Sequence, residues 1–285
     1  MSLRFLVLSW LQNAAKTKVR ETVVQAAQGQ LAQPAVEPPA EEPKPCHLGI
    51  VFALGVESGC LEDILQGAIT IRGSGLVARE GGLKGRRVVV IRCGAGRKKA
   101  AAATELLIDG HRPQRVISAG FCGGLCPSLK RNDILIADRL LDVNGGEMPV
   151  EVPAGLAAMA GQPGVRCGPL LTVDRIVRLP SEKQQLFRRY GALAVDMETF
   201  AVAEVCRRRE VAFSSIRVVN DPADETLPRD MEHLLTQKTE VARLGAALGA
   251  IWRRPGSAKD MYLLRENALV ASGRLAKFLA QGSFD

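Results

Sequence analysis

Between His47 and Asp221 the chain repeats one pattern, an apolar run of strand length followed by a segment of helical length and spacing. The runs HLGIVFAL, RRVVVIRCG, RVISAGF, NDILIAD, GPLLTVD, ALAVDM and FSSIRVVND read as strands. Their apolarity is near-continuous rather than alternating, as a strand covered on both faces requires. Between them Glu57–Gln66, Lys98–Asp109, Ser181–Arg189 and Thr199–Arg209 read as helices. Strands that alternate with helices place the crossovers on both sides of one sheet. The expected fold is therefore a three-layer α/β/α sandwich with a central mixed β-sheet. Residues 229–253 and 258–280 read as two closing helices, broken at Arg254-Pro255-Gly256, and no internal repeat is visible.

The region upstream of His47 has a different character. Residues 1–30 open with LRFLVLSWLQNAAKTKVRE, whose apolar run is shorter than the roughly 20 residues a membrane span needs. Its charge follows the apolar run, the reverse of a secretory leader, so export is not expected. Two readings of this amphipathic helix stand side by side. It lies on a membrane through residues 1–20, with Phe5 and Trp10 in lipid and Lys16, Lys18 and Arg20 at anionic headgroups, or it packs on its own domain or on a partner subunit. Residues 31–45, LAQPAVEPPAEEPKP, form a semi-extended linker, which leaves 46–285 as the main domain.

Composition narrows the function classes. With 47% apolar and 24% charged residues in 285, the chain buries one substantial core. Its seven cysteines are an odd set without CxxC spacing, which points to a reducing cytoplasm and away from a disulfide framework or a zinc site. Three histidines leave little material for a metal centre or a hydrolase triad, so neither metal nor cofactor is expected. The net charge of +8 is spread through helices, and two Trp and two Tyr offer few stacking platforms, so nucleic acid is not an expected partner.

Ligands of open α/β sheets gather at the carboxyl ends of strands. Four such ends carry glycine or acid here. Gly94-Ala95-Gly96 leads into a helix, where close backbone approach and free N–H groups favour an anion or a polar oxygen. Ser118-Ala119-Gly120-Phe121-Cys122-Gly123-Gly124 is a glycine turn that serves either tight packing or binding. Val195-Asp196-Met197-Glu198 places its two acids on one face if it is a strand, and pairs them otherwise if a helix starts there. Asn220-Asp221 closes a strand with Arg217 four residues upstream, and a carboxyl in such a place is a candidate for proton transfer.

Taken together, GIVFALGVES, CGAGRKKAAAA, SAGFCGGLCPSLKRNDILIAD, AVDMETFAVAEVC and IRVVNDPAD resemble, in order and spacing, the nucleoside phosphorylase and nucleosidase superfamily over about Leu48 to Asp224. The 5'-methylthioadenosine/S-adenosylhomocysteine nucleosidase branch is the most similar. The resemblance implies hydrolysis of the bond between adenine and a 5'-substituted ribose by a homo-oligomer. It assigns Glu57 to the attacking water with Arg217 beside it, Met197 and Glu198 to the ribose, and Asp221, held by Asn220, to N7 of the purine. It places Gly94, Gly96, Ser118 and Gly120 at the turn that receives the nucleophile or an anion.

Departures from the family pattern refine that reading. Ser118 and Phe121 stand where phosphorylases of the superfamily carry an arginine and a serine that hold phosphate, which favours water as the nucleophile and leaves phosphorolysis as the alternative. Ile176 falls near the place of the aromatic residue that stacks on adenine. Phe121, IRVVNDPADETLP and the tail AALGAIWRRPGSAKDMYLL also resemble the hopanoid-associated phosphorylase-like enzymes, which remove adenine from adenosylhopane. That second resemblance implies a lipid-linked nucleoside. A non-catalytic nucleoside-binding protein or a membrane adaptor on the same fold is the competing class, and it has no need of Glu57, Glu198 and Asp221 together.

Overall fold

The computed structural model describes residues 45–73, 76–228 and 257–284. These residues all belong to one compact unit that begins at Pro43. The expected N-terminal helix over 1–30, nearly all of the linker, and the first closing helix over 229–253 lie outside the described residues.

In chain order the elements are β1 (Leu48–Phe52), α1 (Gly55–Glu62), β2 (Gln66–Gly73), β3 (Leu76–Leu83), β4 (Arg86–Arg92), α2 (Arg97–His111), β5 (Arg115–Gly124) and β6 (Ile134–Asp142). There follow β7 (Glu147–Pro149), α3 (Ala154–Ala157), β8 (Val165–Thr172), α4 (Pro180–Tyr190), β9 (Ala194–Asp196), α5 (Thr199–Arg208), β10 (Ala212–Asp221) and α6 (Ser257–Gln281). All seven apolar runs are strands, and they join one mixed sheet in the order β10-β6-β8-β9-β5-β1-β4-β3-β2. An additional parallel pairing of β10 with β5 closes the first five of these into a ring. That ring brings the carboxyl ends of β5 and β10 side by side with the end of β9.

The period of two along a strand divides the core. Leu48, Ile50 and Phe52 of β1, with Val88 and Val90 of β4, face α1 and α6. Val51 of β1, with Val89 and Ile91 of β4, faces α2 and α5. Helices therefore cover both faces, and the continuous apolarity of these strands is the record of that double burial.

Some elements depart from expectation. Strands β2 and β3 and the short β7 and α3 were not foreseen. Strand β2 is the sheet edge and almost wholly exposed, so GAITIRG carries no apolar run to read. Helix α1 runs over Gly55–Glu62 rather than Glu57–Gln66. It starts early because Glu57, in its first turn, accepts the N–H of Leu54 at 2.7 Å, which satisfies a donor at the helix start. Among the described residues no helix is long and apolar enough to cross a membrane.

Candidate active site

Glu57 is held from three directions. Its Oε2 takes the Leu54 N–H at 2.7 Å and its Oε1 takes the Phe121 N–H at 2.8 Å. From behind, the Ser272 hydroxyl of α6 donates to the Glu57 carbonyl at 3.1 Å. Burial pushes its carboxyl above the usual range, while Arg217 and the two N–H donors pull the other way. This tight setting explains Gly120, which has φ +152°: a Cβ there would lie 2.6 Å from Arg217 Nη1 and 2.7 Å from Glu57 Oε1. No residue with a side chain fits between these two groups.

Arg217 is only 2% exposed, in the middle of β10. Its Nη2 donates to Ser118 Oγ at 2.7 Å and Thr199 Oγ1 at 2.6 Å, and lies 2.7 Å from Asp196 Oδ2. Burial opposes its charge, and Asp196, Glu198 and Glu57 outweigh that opposition, so the guanidinium stays firmly charged. Asp196 also accepts the Thr199 N–H at 2.9 Å and the Thr172 hydroxyl at 2.7 Å. The acids of VDME are thus divided by the strand-to-helix turn: Asp196 faces inward to Arg217, and Glu198 turns across to α2.

Glu198 Oε1 accepts the Gly96 N–H at 2.8 Å. Its carboxyl is pushed up to about 7, first by burial and then by neighbouring Asp196, with Arg217 opposing. Asp221 ends β10 at 6% exposure and is pushed up to about 6 by burial, against the attraction of Lys183. Lys183 Nζ lies 2.8 Å from Asp221 Oδ2. Beside it the Asn220 side-chain oxygen is buried without a hydrogen-bond partner.

One cavity of about 160 Å³ joins these groups. Glu57, Glu198 and Asp221 line it together with Met197, Phe121, Ile176 and Asn220. The expected turn residues stand one layer back from that cavity. Ala95, Cys122 and Gly123 reach the cavity wall, while Gly94, Gly96, Ser118 and Gly120 do not. Ser118 is buried beneath it with its hydroxyl on Arg217, and Gly96 acts through its N–H on Glu198. Arg217 likewise stays off the wall, and its Nη1 and Glu57 Oε1 both flank the place a Cβ on Gly120 would take, so its charge acts on Glu57 at short range. Thr199 and Lys183 went unremarked in the sequence, and Asp196 was marked there only as the companion acid of Glu198. Lys183 gave no signal, since a lysine on a polar helix ordinarily faces solvent. Among the described residues no group of three or more His, Cys, Asp or Glu could hold a metal ion.

A mixed α/β sheet whose strand ends bring three buried acids, each with its carboxyl pushed up by burial, to one cavity is the architecture of an α/β enzyme of acid–base chemistry. Residues 49–252 match the phosphorylase superfamily. The chain belongs to that family. It is 29% identical over 210 residues to a 5'-methylthioadenosine/S-adenosylhomocysteine nucleosidase of Tolumonas auensis, covering 66% of this chain and 91% of that one. It is 32% identical over 186 residues to the protein of the same name from Baumannia cicadellinicola, covering 58% and 81%. Among solved structures, the nucleosidase of Neisseria meningitidis in complex with methylthio-immucillin-A shares the fold, with a TM-score of 0.62 at 22% identity over 82% of this chain and 97% of that one.

Proposed function

We propose that the protein is an N-ribosidase that hydrolyses the glycosidic bond of a 5'-substituted adenine nucleoside, releasing adenine and the free ribose derivative. The observation that carries this reading is the convergence of Glu57, Glu198 and Asp221, all buried, on a single cavity. When the bond from C1' to the base breaks, its electron pair leaves with the base and positive charge gathers on the sugar. Asp221 gives its proton to N7 and so neutralises the departing base. Glu57 takes a proton from the water whose oxygen bonds to C1', and Glu198 accepts the ribose hydroxyls over Met197. Each positioned acid or base of this kind contributes typically about 10²–10⁴-fold to the rate. The partnerless oxygen of Asn220 suits a donor on the base, such as an exocyclic amine.

Water is the nucleophile in this reading because the guanidinium beside Glu57 is already engaged by Ser118, Thr199 and Asp196. A phosphate dianion there would meet Glu57 without a bidentate partner, forgoing charge-assisted bonds worth roughly 1.5–3 kcal/mol each. The proposal extends to a symmetric homo-oligomer in the cytoplasm and, through residues 1–20, to contact with a membrane, where a lipid-linked adenosine would be presented. Methylthioadenosine, adenosylhomocysteine, inosine and an adenosyl lipid, each offered with and without phosphate in oxygen-labelled water, test the activity. Free adenine with the label on C1 of the sugar is expected, at a rate indifferent to phosphate. A ribose 1-phosphate product would make the protein a phosphorylase, and absence of base release from every nucleoside would make it a binding protein.

A further inference from the structure

Helix α4 is polar and mostly solvent-facing, yet its one fully covered side chain is a lysine. Lys183 is 0% exposed. Lysine is almost never buried without a partner, so the position demands an account. Its Nζ donates to the carbonyls of Pro222 at 2.7 Å and Glu225 at 3.1 Å and lies 2.8 Å from Asp221 Oδ2. One ammonium therefore ties the end of β10 to the chain that leaves it. The same Oδ2 rests over Gly123, where a Cβ would come within 3.0 Å of it. Other charged groups near Asp221 are Arg131, after β5, and Glu225, after β10. These two pair with each other, and Arg131 also donates to the Asn220 carbonyl. Their charges largely cancel, so Lys183 is the cation that acts on the acid.

The geometry points to Lys183 as a positioning residue for the proton donor: its ammonium, 2.8 Å from Asp221 Oδ2, holds the carboxyl at the cavity wall and stabilises the carboxylate that forms as the proton leaves for N7. This assignment rests on the ribosidase reading. A preorganised charge aimed at the place where negative charge develops lowers the barrier to transfer more than it strengthens ground-state binding. Removing the ammonium leaves Asp221 buried without its counter-charge, so the acid holds its proton more tightly and delivers it less readily.

Lys183→Met keeps the length of the side chain and removes the charge. The expected result is a kcat lower by about tenfold or more, with KM within about threefold of the parent. The limb on which kcat falls as pH rises should move upward by about one pH unit or more, and this position does not depend on how much of the variant folds. In an Asp221→Asn background the same substitution should cost little further kcat, because the acid it serves is already gone. A carbon NMR titration of the Asp221 carboxyl, assigned through Asp221→Asn, reads the coupling without turnover and should show the same upward movement. Base release by the parent with an unmoved Asp221 titration in Lys183→Met would overturn the assignment. A titration that moves in a protein whose parent releases no base would uphold the coupling and overturn the ribosidase reading instead.

Discussion

Glu198 shows at the scale of one residue how the site sets function against stability. It accepts a single backbone N–H, from Gly96, and burial with the nearby Asp196 raises its carboxyl from the ordinary 4.5 to about 7. A group whose folded value is raised costs no stability below its unfolded value. The cost grows as pH rises from 4.5 toward 7 and is complete above that. Glu198→Gln keeps the acceptor for Gly96 and removes the titration, so the variant should gain stability at pH 8, on the order of 3 kcal/mol. At a pH below the unfolded value the two proteins should melt alike. Sugar binding and rate should both weaken, because the neutral amide is a poorer acceptor for ribose hydroxyls. Calorimetry at both pH values, beside steady-state kinetics, checks the pair; an equal gain at both would show that the stabilisation is not electrostatic. Functional sites commonly hold such unfavourable charge, and the rest of the fold compensates for it.

At the scale of the element, helix α6 is the one that the sequence places far from the site and the fold brings against it. Ala271, Leu275, Phe278 and Leu279 are buried against the same face of the sheet as Leu61 of α1, and Ser272 donates to the Glu57 carbonyl. Packing of α6 thus fixes the helix that carries the proposed water-activating group. Leu275→Ala should destabilise the protein by roughly 2–5 kcal/mol, the range for a large-to-small change at a closed site. Chemical denaturation checks the magnitude, and an unchanged midpoint would show that α6 is dispensable to the core. Near α1 and the edge the sequence was harder to read. Five of the eight residues of β2 are polar or glycine, and of its apolar residues Ile69 is 57% exposed and Ile71 39%. An uncovered strand needs no apolar run, so hydrophobic periodicity could not reveal it.

For the whole molecule, the unit from Pro43 onward holds every group of the proposed mechanism. A chain beginning at Pro43 should therefore fold and release base from a soluble nucleoside at the rate of the full protein. If residues 1–20 are an interfacial helix, the full chain should sediment with anionic vesicles and the shortened one should not. Sedimentation alongside a base-release assay separates the two roles. Loss of activity on shortening would place the upstream segment in the site itself, and equal vesicle binding by both chains would remove its membrane role.

The sequence by itself determined the layered class of the fold, because double burial writes continuous apolar runs into β1, β4, β5, β6, β8 and β10. It also marked Glu198 and Asp221, because a carboxyl at the end of an apolar strand or the start of a helix stands out against its surroundings, whereas Glu57 came only with the family resemblance. Only the tertiary structure decided how those acids are held. Ser118 reads as the start of a glycine turn and Arg217 as a strand residue upstream of Asn220-Asp221, and nothing local says that they meet; the pairing of β5 with β10 brings them together beneath the cavity wall. Lys183 lies 38 residues before Asp221 on a polar helix, and its charge meets the acid through a packing arrangement that no local pattern encodes. Periodicity reports which face of an element is dry, whereas the partner of a buried charge is set by contacts between elements remote in the chain.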